Sequence, residues 1–140
     1  MINIFLSINN REQIIQLPVV PEEFTIQSPH NNETYQTISQ GDIKLIGMEG
    51  LKSLTIESFF PMKNYSFLRD DAYQGWEYVE KIEEWMKRRV PIRLVITDTP
   101  INMACSIDNF TYGVKDGSGD IYYSLSLEEF KFIHLERKKV

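Results

Sequence analysis

Apolar and polar residues alternate from the start of the chain. Ile2, Ile4 and Leu6 are set against Asn3, Phe5 and Ser7, the period-two pattern of a strand with one buried face. Asn9-Asn10-Arg11-Glu12 reads as a turn into a second apolar run, Ile14 to Leu17, so the chain opens with a short hairpin. Pro18 and Pro21 bracket Val19-Val20 and keep this stretch extended, because each proline fixes its own φ and disfavours a helical residue before it. Phe24 to Gln27 is a brief strand ended by the turn formers of Ser28-Pro29-His30-Asn31-Asn32. Thr34 to Ser39 and Asp42 to Ile46 flank Gln40-Gly41, a second hairpin with glycine at the positive-φ position. Gly47-Met48-Glu49-Gly50 turns again, and Leu51 to Phe60 alternates, with Leu54, Ile56 and Phe59 set against Thr55 and Glu57 up to Pro61, so residues 1–60 read as all β.

The period then changes. From Asp71 to Arg89, Tyr73, Trp76, Val79, Ile82, Trp85 and Met86 recur at steps of three and four, with charged residues between them, which predicts one amphipathic helix. Asp70 or Asp71 is placed to cap its start, Lys87-Arg88-Arg89 to complement the dipole at its end, and Pro91 to stop it. Ile92 to Thr97 is a strand, Asp98-Thr99-Pro100 a turn, and Ile101 to Val114 a long strand with Met103, Cys105, Ile107 and Phe110 toward one side. Lys115 to Asp120 is a hairpin loop. Ile121, Tyr123, Leu125 and Leu127 then alternate with Tyr122, Ser124, Ser126 and Glu128 toward Phe132. The fold class that follows is α+β, mainly β.

Composition narrows the function. The 140 residues, with 42% hydrophobic and 25% charged content, fit one ordered domain over 1–140. A formal net charge of -5, with basic residues clustered only at Arg137-Lys138-Lys139, argues against direct nucleic-acid recognition, which requires a basic footprint. No apolar run approaches the roughly 20 residues of a membrane span, and the N-terminal apolar stretch lacks the basic flank of a secretory signal. Cys105 has no second cysteine to pair with, which fits synthesis in a reducing cytoplasm.

Candidate chemistry is sparse. His30 and His134 are far apart and lack the spacing of metal ligands, His30 reading as a loop residue and His134 as a strand residue near the end. Cys105 lies between Ala104 and Ser106 in a half-buried strand without a basic neighbour, so it reads as structural. Gly113 to Asp120 has the glycines and aspartates of a phosphate or calcium loop but neither motif's spacing, and reads as a hairpin turn. Glu83-Glu84 and Asp70-Asp71 are adjacent pairs that diverge on a helix and read as solvated surface. Trp76 and Trp85 are read as packing on one apolar side of the helix. No catalytic residue, cofactor or metal site is expected.

The order of segments carries a resemblance. Leu17-Pro18-Val19-Val20-Pro21-Glu22-Glu23-Phe24, Gly41-Asp42-Ile43, Ser58-Phe59-Phe60-Pro61, the Trp-bearing helix, Pro91 to Asn102 and Gly119 to Leu127 are together similar to the tube-like baseplate-hub proteins of contractile phage tails and injection systems. The chain looks like the N-terminal domain of baseplate proteins that continue into a LysM module, which is not present before Val140. The resemblance implies a tail-tube-like β-barrel or sandwich with one flanking helix. It also implies a non-enzymatic structural subunit, made in the bacterial cytoplasm and assembled into a phage tail or tail-like particle. There it would join a hexameric ring at the junction of baseplate hub and tube, as initiator or adaptor, in contact with tail tube and baseplate proteins and without membrane insertion.

A ring needs subunits that share β-forming backbone, and the hairpin around Gly41 offers it. Tyr35, Thr37, Ile38, Ile43, Lys44 and Leu45 are therefore the candidate inter-subunit interface, with an ordinary surface hairpin as the plainer reading of the same residues. A different class of function, a small β-rich ligand- or glycan-binding module, would require Trp76, Tyr122 or Tyr123 to line a pocket.

Overall fold

The computed structural model describes residues 2–132. The alternating segments become nine strands around one helix: β1 (Ile4–Ile8), β2 (Gln13–Gln16), β3 (Ile26–Gln27), β4 (Glu33–Thr37), β5 (Gly41–Leu45), β6 (Ser53–Phe60), α1 (Gly75–Arg88), β7 (Ile92–Ile96), β8 (Asn102–Val114) and β9 (Ile121–Glu129). This is the mainly β, α+β class expected. Seven strands form one antiparallel sheet in the order β2-β1-β7-β8-β9-β6-β3, with β2 and β3 as its two edges, so the sheet is not closed into a barrel. β4 and β5 stand apart as a two-stranded sheet.

One face of the large sheet makes the core. Ile4, Leu6 and Ile8 of β1, Leu54, Ile56 and Phe60 of β6, Ile92, Leu94 and Ile96 of β7, and Ile121, Tyr123, Leu125 and Leu127 of β9 are all buried in one cluster. β9 follows its sequence alternation residue by residue. In β6 the expectation is corrected at one position: Phe60, four residues on from Ile56 in the period-two alternation, takes the core side opposite Ile121, while Phe59 faces outward opposite Tyr122. In β8 a bulge between Ile107 and Asn109 shifts the register, which carries Phe110 to the core side after Cys105 and Ile107.

The helix covers this face. Tyr78 stacks on Phe60 at 4.9 Å between ring centroids, and Phe60 stacks in turn on Tyr123 at 4.1 Å. The indole Nε1 of Trp85 donates to Gln13 Oε1 at 2.8 Å, and Arg88 pairs with Glu12 at 3.7 Å, joining the last turns of α1 to the first hairpin.

Two helical expectations are corrected. The helix begins at Gly75, and its N-cap is Gln74, whose N–H donates to the Glu77 carboxylate at 3.1 Å. Asp70 instead accepts from the Tyr78 hydroxyl at 3.4 Å, and Asp71 is exposed. The start is set by tertiary contacts: Gly75 N donates to Pro61 O, and a Cβ on Gly75 would collide with the Met62 sulfur. Trp76 and Trp85 do not share a face, since they are about two and a half turns apart. Trp85 is buried and Trp76 is exposed, and the buried stripe is Gly75, Tyr78, Val79, Ile82 and Trp85. At its far end Arg89 closes α1 in the left-handed conformation and donates its N–H to Met86 O.

His134 and the basic Arg137-Lys138-Lys139 run lie outside the described residues. No helix among the described residues is long and apolar enough to cross a membrane.

Candidate functional site

The β4–β5 hairpin is built by local chemistry. Gly41 takes φ +72, where a side chain is disfavoured, and Thr37 locks the turn by donating Oγ1–H to Gly41 O at 2.7 Å while accepting from Gln40 N at 3.1 Å. Below the two strands the ladder continues. Asn31 N donates to Met48 O, Gly50 N to Pro29 O, His30 bridges Glu49, and Gly47 N donates to the Asn32 side chain. Gly47 has no room for a Cβ, which would overlap the Asn31 carbonyl. The result is an arm running from Pro29 to Gly50 between β3 and β6.

Strand register sorts the candidate interface residues onto faces. Tyr35 lies opposite Ile43, Glu33 opposite Leu45 and Thr37 opposite Gly41, so these share one face of the arm. Thr34 and Lys44, and Gln36 and Asp42, form the other face. The structure therefore brings Tyr35, Thr37, Ile43 and Leu45 together, sets Lys44 on the opposite side and puts Ile38 at the tip. Tyr35 is 51% exposed, Leu45 50%, and Ile38 fully exposed. Ile46 and Met48 are also exposed. None of these apolar residues belongs to the core cluster. Tyr35 donates its hydroxyl to Glu33 at 2.5 Å, which raises the phenol pKa above its ordinary value and keeps the ring on the apolar face.

An apolar face without a partner on an isolated two-stranded sheet is unusual, because such a hairpin has little stability of its own in water. Exposed patches of this kind mark interaction surfaces.

A second surface lies on the outer side of the large sheet, at its β2-β1-β7-β8 half. Ser7 sits between Ile14 and Arg93, and Arg93 lies beside Ala104. In the next row Phe5 sits between Gln16 and Val95, and Val95 lies beside Asn102. Phe5, Val95, Ile14 and Ala104 floor a groove of about 860 Å³, bordered by Arg11, Arg93 and Phe132. Arg93 is held across it by donating Nε–H to Asn102 Oδ1 at 2.7 Å. Sequence reasoning missed this groove, because its walls come from strands far apart along the chain.

The other side chains considered for chemistry do not converge. Tyr123 is buried in the core, Tyr122 lies on the opposite face of β9, and exposed Trp76 meets Tyr112 edge-on at 6.1 Å. None of the three lines the groove. Cys105 is fully buried, and burial, reinforced by the Glu129 charge, pushes its thiol up to about 12. His30 is exposed on the arm. No group of three metal-ligating side chains occurs among the described residues. Asp116 in the β8–β9 loop accepts from Ser118 N and from the Ser118 hydroxyl, which holds its carboxyl below the usual value and makes it part of the turn. Asp120 is buried, accepting from Met62 N at 2.9 Å and from the Tyr65 hydroxyl at 2.6 Å. It anchors the connection from β6 to α1, and Tyr65 packs there with Phe59 and Phe67.

Comparison with known proteins places the fold. No family model matches the sequence. The chain is 38% identical over 120 residues to "Uncharacterized protein YqbP" of Bacillus subtilis (strain 168), a match that covers 84% of this chain and 54% of that protein. It thus spans about half the length of this relative. Among solved structures it is similar to a chain of the virion of a native gene transfer agent (GTA) particle. The TM-score is 0.56 at 13% identity, covering 92% of each chain. It is also similar to a chain of the anti-feeding prophage (AFP) baseplate, 6-fold symmetrised. There the TM-score is 0.55 at 10% identity, covering 93% of this chain and 89% of that one. The fold is therefore one shared with a chain of the GTA virion and a chain of the AFP baseplate.

Proposed function

We propose that this protein is a non-catalytic structural subunit of a contractile phage tail or phage-tail-like particle. It acts as one tube-like domain over residues 1–140 and occupies a ring at the junction of baseplate hub and tube, as tube initiator or adaptor. The observation that carries this reading is the β4–β5 arm, with Tyr35, Ile43 and Leu45 exposed on one face and unpacked against the core. A surface of this kind calls for a partner. The shared fold with chains of the GTA virion and the AFP baseplate supports that partner's being another tail subunit. The AFP baseplate structure is 6-fold symmetrised, which is in keeping with a hexameric ring. The half of YqbP outside the match leaves room in that relative for a further module.

Co-sedimentation with tail tube and baseplate proteins tests the proposal. Joint migration, with rings visible by electron microscopy, is the expected result. A chain that stays monomeric with every such protein overturns it.

A further inference from the structure

The arm and the groove each present apolar side chains, carry opposite charge and lie toward opposite ends of the sheet. The arm leaves the chain between β3 and β6, at the β3 end of the strand order, while the groove lies over β2, β1, β7 and β8 at the other end. The arm presents an apolar face of Tyr35, Ile43 and Leu45, and the groove is lined by Phe5, Ile14, Val95 and Ala104.

Charge is complementary as well. The arm carries Glu33, Asp42 and Glu49 against Lys44, and Glu33 lies on the apolar face itself. The groove is bordered by Arg11 and Arg93, and among the described residues no carboxylate lines it. Opposite charges at the rim of an apolar contact fix register and exclude wrong partners.

We infer that the groove receives the β4–β5 arm of a second copy of this chain, with Tyr35, Ile43 and Leu45 on the apolar floor and Glu33 turned toward Arg93. Because the two surfaces differ and lie at opposite ends of the sheet, the contact is heterologous, and its repetition forms a ring where the rotation closes. This rests on the assembly reading above and specifies the contact within it.

Two variants test it by sedimentation velocity under conditions where the wild-type chain self-associates. Tyr35→Ser/Ile43→Ser disables the arm, and Arg11→Glu/Arg93→Glu reverses the charge of the groove at two exposed positions, with circular dichroism checking that each still folds. Each variant alone should be monomeric, whereas an equimolar mixture should give a dimer and nothing larger, since one intact arm then meets one intact groove. Adding Glu33→Lys to the groove variant should restore its association at least tenfold.

Self-association by the groove variant alone would assign the arm to another surface and the groove to another occupant, and would overturn the inference. A wild-type chain that joins tail proteins but never itself would overturn it too, while leaving the assembly reading intact.

Discussion

Trp85 and Gln13 lie far apart in sequence, yet the indole N–H of Trp85 donates to the Gln13 side-chain oxygen at 2.8 Å, tying the last turns of α1 to strand β2. The indole is fully buried, so its N–H has no water to turn to if the acceptor is removed. Gln13→Leu should destabilise the chain by about 1–3 kcal/mol, the cost of leaving a buried donor unpaired. Urea denaturation followed by Trp fluorescence measures this, and an unchanged midpoint would show that the bond contributes nothing.

Asp120 offers a prediction in pH. Its carboxylate accepts the Tyr65 hydroxyl and, with burial adding to it, raises that phenol from 10.0 to about 12. Removing the charge in Asp120→Asn should return the Tyr65 titration toward 10. The wild-type phenol stays protonated between those values, and the variant's ionises there. Alkaline titration followed by phenolate absorbance reads the difference. The same change weakens the anchor on Met62 N and should lower the melting temperature.

Cys105 should resist thiol reagents in the folded chain. Its side chain is buried among core residues, and its thiol is pushed up to about 12 by burial, so at neutral pH it is both inaccessible and protonated. Modification should appear only in denaturant. Rapid labelling of native protein would contradict the packing of β8.

Much of this structure was legible in the sequence because the large sheet buries one face, and period-two alternation then reports the fold directly. β1 and β9 show it, as do Leu54 and Ile56 of β6, although Phe60 and not Phe59 continues that buried face, and Gly41 announced its hairpin by the conformation the turn demands. The helix was legible as a helix but not in its start or its full stripe. Asp70 and Asp71 are good caps by type, and only the hydrogen bond from Gly75 to Pro61 and the packing of Met62 delay the first turn. Trp76 was assigned to the buried side by its three-residue spacing from Tyr73 and Val79, although its angular position sets it away from Trp85.

Of the candidate interface, Tyr35, Ile43 and Leu45 lie together, while Lys44 falls on the opposite face through the strand period that the sequence itself carries. The groove was not legible. Phe5, Ile14, Val95 and Ala104 become neighbours only through the pairing of β1 with β7, which no local pattern encodes.

The arm should also be the part of the chain least protected on its own. β4 and β5 pair only with each other and lie outside the core cluster, whereas β8 and β9 are paired on both sides. In the isolated chain, amides of the arm should exchange with deuterium much faster than those of β8 and β9. Tyr35→Ser/Ile43→Ser should leave the global unfolding free energy within about 0.5 kcal/mol of wild type, as expected for surface positions away from the core. A larger loss, measured by urea denaturation, would mean that the apolar face serves the monomer's own fold.

A cryo-EM map of phage-tail-like particles purified from cells that express this chain tests the proposed assembly most directly. A ring of this fold between hub and tube is expected, with Tyr35, Ile43 and Leu45 of each copy buried against a neighbouring subunit. A particle in which the chain is absent, or in which the β4–β5 arm projects into solvent, would contradict it.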